Sequence, residues 1–167
     1  RSLLTVLSEG APSIQILTEV PGAFWFDARG LRLLGGEVGV ARQLQQCAAR
    51  GGFSDLRVGF ADSLSAAQAV TDRTVQQDTI SIVPKGSDKS FLKALSLNEL
   101  PLDPLVRSAL EGLGLKDVES VMRLPSQALM HRFGQHWKEP LNWIKGHDYR
   151  RPISLEEEPI FEAKWPL

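Results

Sequence analysis

The sequence predicts an α+β fold in two parts, and three observations carry that reading. Short runs rich in β-branched and aromatic residues occur only in the first hundred positions, at Ile14–Val20, Phe24–Ala28, Leu56–Phe60 and Thr79–Val83. Segments with apolar residues at helical spacing lie between them. Beyond Asn98 the strand signals stop, and short helical patterns follow one another through tight joints. With 167 residues and 43% hydrophobic content the chain can bury a core, which excludes general disorder.

Each element has a local reason. Leu3, Leu4, Val6 and Leu7 read as the last turns of a helix closed by Gly10-Ala11-Pro12. Pro21-Gly22 between the first two β-rich runs predicts an antiparallel hairpin. The strongest helix signal is Val38–Arg50, with Val40, Leu44, Cys47 and Ala48 on one face and Gly51-Gly52 beyond the end. An alanine-rich helix is predicted over Ser63–Asp72, between the third and fourth strands. Pro84-Lys85-Gly86 then stops the last strand, and Ser87 is placed to cap a helix bearing Phe91, Leu92 and Leu95.

In the second part, Asp103-Pro104 sets an N-cap and first position for a helix whose predicted buried stripe is Leu105, Ala109 and Leu110. Val118, Val121 and Met122 mark the next helix. Ser126 is expected to cap a third, ending at Phe133-Gly134, and a fourth runs through Trp137, Leu141, Trp143 and Ile144 to Gly146. From His147 onward Pro152, Pro159, Pro166 and the triplet Glu156-Glu157-Glu158 predict an extended linker or edge strand. The organisation read from this is an α+β lobe over 1–98, a helical lobe over 99–151 and a linker over 152–167.

Charge and cysteine content narrow the function classes. Nineteen Lys and Arg stand against 20 Asp and Glu, a net charge of −1, so no global positive field exists to hold nucleic acid. The balance is uneven: ten basic against ten acidic residues over 1–100, eight against six over 101–151, and one against four over 152–167. Only the helical part is mildly basic. Cys47 stands alone and is read as a buried, inert thiol. His131, His136 and His147 fall at no metal-binding spacing on one helix face, and no zinc set exists. The chain has no apolar run of membrane-spanning length and no signal-peptide pattern, which reads as cytoplasmic. Its opening directly inside an apolar pattern at Arg1 is expected of a segment of a longer polypeptide.

Five segments in order resemble the Y-family DNA polymerases (DinB/UmuC-like), and in particular their ImuB-type homologues from bacterial SOS mutagenesis cassettes. Phe24-Trp25-Phe26-Asp27-Ala28-Arg29-Gly30 is similar to the second half of the palm strand that reads acid-acid-x-aromatic-leucine-aspartate-valine-threonine-glycine. Leu33-Leu34-Gly35-Gly36-Glu37 resembles the start of the next palm helix, and Arg57-Val58-Gly59-Phe60-Ala61-Asp62 the valine-glycine-isoleucine-alanine strand. Ile82-Val83-Pro84-Lys85-Gly86, followed by Phe91-Leu92 and Leu95, is similar to the stretch leading to the thumb. Leu113-Gly114-Leu115-Lys116-Asp117-Val118, with Leu124-Pro125, Leu129 and Arg132-Phe133-Gly134, resembles the thumb itself. The resemblance spans nearly the whole chain. It implies a ferredoxin-like palm sheet with helices on one face, then a small thumb resembling a helix-hairpin-helix.

The departures from that family bear on chemistry. Its polymerisation is two-metal nucleotidyl transfer, with Mg²⁺ held by carboxylates. Two of those carboxylates stand five and four positions ahead of the residue matched by Asp27, and here they are Gly22 and Ala23. Moving Glu19 into the site requires a three-residue slip, which turns the strand's faces over. Asp27 alone is read as a structural acid, and Trp25 as core. Ser63, Leu64 and Gln68 stand where active members carry an asparagine and two lysines near the triphosphate. Leu100-Pro101-Leu102-Asp103 replaces the glycine-rich thumb hairpin that approaches a DNA phosphate.

The function implied is that of a non-catalytic adaptor in DNA-damage-induced translesion synthesis and mutagenesis, without a cofactor. Its implied partners are DNA, a replication clamp, a RecA-like accessory protein and a replicative-type error-prone polymerase. The candidate phosphate contacts are Lys116, Arg123, Arg132, Lys138, Lys145, Arg150 and Arg151, interleaved with Trp137, Trp143 and Tyr149. Two alternatives stand beside it: an active translesion polymerase using Mg²⁺ with ligands from outside this chain, and an unrelated scaffold domain.

Overall fold

The computed structural model describes residues 3–11, 13–18, 20–30, 35–73, 79–148 and 150–152. Helix α1 (Leu3–Ser8) buries Val6 and Leu7 and leads into an antiparallel pair, β1 (Gln15–Ile16) and β2 (Phe24–Trp25). Their register sets Gln15 against Trp25 and Ile16 against Phe24. Helix α2 (Gly36–Arg50) forms as the apolar spacing dictates, with Val40, Ala41, Leu44, Cys47 and Ala48 all buried on one face. Strand β3 (Val58–Phe60), helix α3 (Leu64–Asp72) and β4 (Ile80–Ile82) follow as a strand–helix–strand unit, with β3 and β4 parallel and Val58, Gly59 and Phe60 opposite Ile80, Ser81 and Ile82.

The rest of the described chain is helical: α4 (Asp88–Lys93), a 3₁₀ turn at Leu97–Glu99, α5 (Pro104–Gly112), α6 (Val118–Arg123), α7 (Ser126–Phe133), a second 3₁₀ turn at Gln135–Trp137, and α8 (Lys138–Ile144). The α5 start is as predicted, the Asp103 carboxylate accepting from the Leu105 N–H at 2.8 Å ahead of Pro104. Among the described residues after Asn98 the single β feature is an isolated bridge between Asp117 and Ser96. No helix of the described residues is long and apolar enough to cross a membrane.

Among the described residues apolar packing forms two clusters. One gathers Leu7, Ala11, Ile14, α2 and the β3 residues Val58 and Phe60. The other gathers Ala66 and Ala69 of α3, Leu92 and Leu95, and the buried residues of α5 to α8. Helix α3 thus belongs to both parts: it crosses over β3 on one side and seals the helical core on the other.

Several expectations are corrected. The strands are shorter than their β-rich runs, and the described residues form two two-stranded sheets rather than one. Helices do not lie on one face only. Val58 and Phe60 point into the cluster with α2, whereas a Cβ on the intervening Gly59 would overlap the Thr71 hydroxyl and stand 2.7 Å from the Ala67 carbonyl oxygen of α3. Successive strand residues face opposite sides, so α2 and α3 flank β3. Leu105 is 81% exposed, and Val106 takes the buried position one turn from Leu110. Ser87 stands at an N-cap without a side-chain capping bond, and Ser126 is the first helical residue rather than a cap. The acidic triplet and the rest of 153–167, with Tyr149, lie outside the described residues.

Candidate functional site

An open cleft of about 800 Å³ runs between β2 and β3, and it collects the positions that the sequence singled out in the α+β part. Its walls include Gly22, Ala23, Trp25, Asp27, Ser63, Leu64, Gln68, Lys85, Arg150 and Arg151. The hairpin places Gly22 at φ 78°, left-handed backbone that glycine adopts freely and a carboxylate-bearing residue rarely does. Ala23 follows at the turn's exit, its N–H donating to the Val20 carbonyl at 3.1 Å. Phe24 and Phe26 pack on the β-sheet cluster, and Phe26 meets Phe60 edge to face at 5.8 Å. Trp25 is half-buried on the cleft wall rather than in the core.

Asp27 is committed to its own neighbour. The Arg29 guanidinium donates to both carboxylate oxygens, and the Arg29 backbone N–H donates at 2.9 Å. Side-chain hydrogen bonds from Arg29 hold the Asp27 carboxyl below its usual range, against the opposing effect of partial burial, and the Arg151 charge adds to the lowering. Mg²⁺ does not fit these residues. Gly22 and Ala23 offer no ligand atom, Asp27 is paired with a cation, and among the described residues no three His, Cys, Asp or Glu side chains converge to hold a metal.

Because the folded carboxyl is depressed, its stabilisation is present above the ordinary aspartate range and is lost as pH falls through the lowered value. Arg29→Ala should therefore move the Asp27 titration upward, read from its side-chain ¹³C shift. An unmoved titration would show that the pair does not form in solution.

The entrance to α3 is closed by two buried carboxylates. Asp88 accepts from the Asp62 N–H at 3.2 Å, the Ser63 N–H at 2.6 Å and the Ser63 hydroxyl at 2.5 Å. Asp148, 2% exposed, accepts from the Ser65 N–H at 3.1 Å and from Arg150 Nε and Nη2, both at 2.9 Å. The Ser63 hydroxyl in turn caps the helix by accepting from the Ala66 N–H. Arg150 also lies over the Trp143 ring at 4.0 Å. The segment leaving α8 is thereby strapped across to the α+β part, with Arg151 on the cleft wall.

The remaining candidate cations separate into distinct settings. Lys116, Arg132 and Lys138 are exposed, and Arg132 also lies over the Phe133 ring at 5.6 Å. Arg123 is paired with Glu119 at 2.6 Å, and Lys145 is half-buried and donates to the Ser126 hydroxyl. Trp137 is 4% exposed and stacked on Phe133 at 4.3 Å, so it is core and not available to bases. Cys47 is buried as expected, but it has a basic neighbour: Arg50 Nη2 donates to its sulfur at 3.1 Å. His131, His136 and His147 are exposed. Asp88, Asp148 and the pairing of Arg29 with Asp27 were not singled out from sequence. Two of them carried a local signal, since Arg29 stands two residues after Asp27 and Arg150 two residues after Asp148.

No protein-family model matches this sequence, and no curated protein sequence matches it. Among solved structures, the chain is similar to DinB from Sulfolobus solfataricus, with a TM-score of 0.67 at 15% identity. The match covers 90% of this chain and 44% of that one, so the chain spans less than half of that DinB. The fold of the described residues, mostly helical with small sheets, therefore resembles part of the Y-family polymerase DinB.

Proposed function

We propose that this chain belongs to a non-catalytic Y-family polymerase homologue of the ImuB type, an adaptor in damage-induced translesion synthesis. The observation that carries this reading is the hairpin turn: the positions matched to the paired metal-binding carboxylates are Gly22, with its left-handed backbone, and Ala23. Without those groups two ions lose their bridging ligands, and positioning alone does not replace that electrostatic stabilisation. Its partners would be DNA, a replication clamp, a RecA-like accessory protein and an error-prone replicative-type polymerase that performs the synthesis.

Primer extension with Mg²⁺ or Mn²⁺ tests the reading, with no template-dependent incorporation expected. Gly22→Asp with Ala23→Glu should not restore it, because Leu64 and Gln68 still lack cationic groups and Asp at position 22 meets a strained backbone. Incorporation by the unaltered protein that is abolished by Asp27→Ala would establish the enzyme instead.

The DNA contact of this adaptor is weak, indifferent to sequence and carried by exposed cations. Arg132→Glu with Lys138→Glu should weaken binding to primer-template DNA several-fold at low salt, and flatten the salt slope by roughly one to two. Fluorescence anisotropy at several salt concentrations reads both. An unchanged slope would assign these residues to solvation alone.

A further inference from the structure

Two arginines in the second half of the chain lie over aromatic rings, and they differ in what holds them. Arg150 covers Trp143 at 4.0 Å, but Asp148 binds its guanidinium through two nitrogens. Arg132 stands over Phe133 at 5.6 Å and is exposed, and among the described residues no carboxylate pairs with it. Phe133 is itself stacked: its ring lies 4.3 Å from that of Trp137, 17° from parallel. The joint between α7 and α8 makes this stack. Gly134 takes φ 101°, which an L side chain rarely adopts, and a Cβ there would stand 2.9 Å from His136 Nδ1. The Trp137 N–H then donates to the Gly134 carbonyl at 3.2 Å, which folds the indole back onto Phe133. With one face of Phe133 taken by the indole at that spacing, the guanidinium lies over the other. The column therefore runs from core to solvent as buried Trp137, half-buried Phe133 and exposed Arg132. Lys138, next to Trp137, is exposed as well, and over 131–139 the sequence sets Arg132 and Lys138 against Glu139 alone.

We propose that this column is a stacking platform for one unpaired nucleobase of single-stranded DNA, which lies on the outer face of Arg132 while Lys138 meets an adjoining phosphate. The inference rests on the DNA contact proposed above and adds a base to it. A guanidinium resting on a ring is planar, always charged and weakly hydrated, so its outer face is a flat cationic surface of the kind on which bases stack. The phenyl and indole behind it fix the level of that surface, because Trp137 is packed into the helical core. A duplex interior does not fit, since each base there has both faces covered by its neighbours. An unpaired base leaves a face open, and its own phosphate brings negative charge to the two exposed cations. Every base has a π-face, so such a contact tolerates any sequence.

Fluorescence anisotropy at low salt tests it with two probes, an oligothymidylate and an oligonucleotide of the same length whose residues are all abasic. Both carry the same phosphates and only the first carries rings, so the chain should bind the oligothymidylate at least about fivefold more tightly. Arg132→Lys keeps the charge and loses the plane, and it should cut that preference to below about twofold. The substitution is on an exposed side chain and leaves the Phe133–Trp137 stack in place. Equal binding of the two probes by the unaltered chain overturns the inference while leaving the cationic DNA contact standing. A preference that survives Arg132→Lys places the base elsewhere and overturns it as well. Binding to neither probe overturns both the inference and the DNA contact on which it rests.

Discussion

Gly59→Ala is expected to cost about 3 kcal/mol of folding stability, a large effect for one methyl group. The added Cβ would overlap the Thr71 hydroxyl and stand 2.7 Å from the Ala67 carbonyl oxygen and 2.9 Å from Val70 Cγ1. The first neighbour is a side chain, but the second is helix backbone, which yields only if α3 lifts from β3. Such a lift would propagate, because Ala66 and Ala69 on the same helix are fully buried in the helical core. Thr71→Ala in the same molecule should therefore recover only part of the loss. Gly112, at the end of α5, is the control: a Cβ there meets nothing within 4 Å, and Gly112→Ala should be neutral or slightly stabilising. Urea denaturation of the four proteins measures the differences. A Gly59→Ala cost below about 1 kcal/mol would mean that α3 is not seated on β3 in solution.

What the sequence could disclose of this arrangement depended on distance along the chain. The α2 face from Val40 to Ala48 and the Asp103-Pro104 start were legible because their causes lie within one or two helical turns. The Arg50 contact with Cys47 is equally legible, since positions three apart share a helix face. Trp137 shows the opposite case. Its position among basic residues grouped it with the candidate phosphate contacts, but its place is decided by stacking on Phe133 across a turn. Asp88 had no local signal and Asp148 only its pairing with Arg150 two positions on, because the α3-entrance N–H groups of Ser63 and Ser65 that they accept from lie 25 and 83 positions away. Strand lengths failed for a related reason: a β-rich run shows propensity, while a strand needs a partner along its edge. At Phe26–Ala28 and Leu56–Arg57 the described residues supply none.

Asp148→Ala should destabilise the fold by about 3 kcal/mol, because it breaks a buried ion pair by removing one member. The Asp148 side chain is 0% exposed while that of Arg150 is 32% exposed, so the arginine left behind can partly resolvate and the loss falls at the lower end for such pairs. Two costs add to the broken pair. The Ser65 N–H at the start of α3 loses its acceptor, and Arg150 loses the anchor that holds it over Trp143. Asp148→Asn separates these contributions: its amide oxygen can still accept from Ser65, so it should cost about half as much. Arg150→Ala leaves the carboxylate buried and uncompensated and should be nearly as damaging as Asp148→Ala. The double variant should then show a coupling of about 2 kcal/mol in a double-mutant cycle. The cycle would read zero if the pair contributed only independent packing. A second readout tests whether the strap also serves the cleft. Arg151 lowers the Asp27 carboxyl from its place beside Arg150, so freeing the segment in Asp148→Ala should shift the Asp27 titration slightly upward. That shift must be smaller than the one produced by Arg29→Ala, since Arg29 bonds the carboxylate directly and Arg151 acts on it only through its charge.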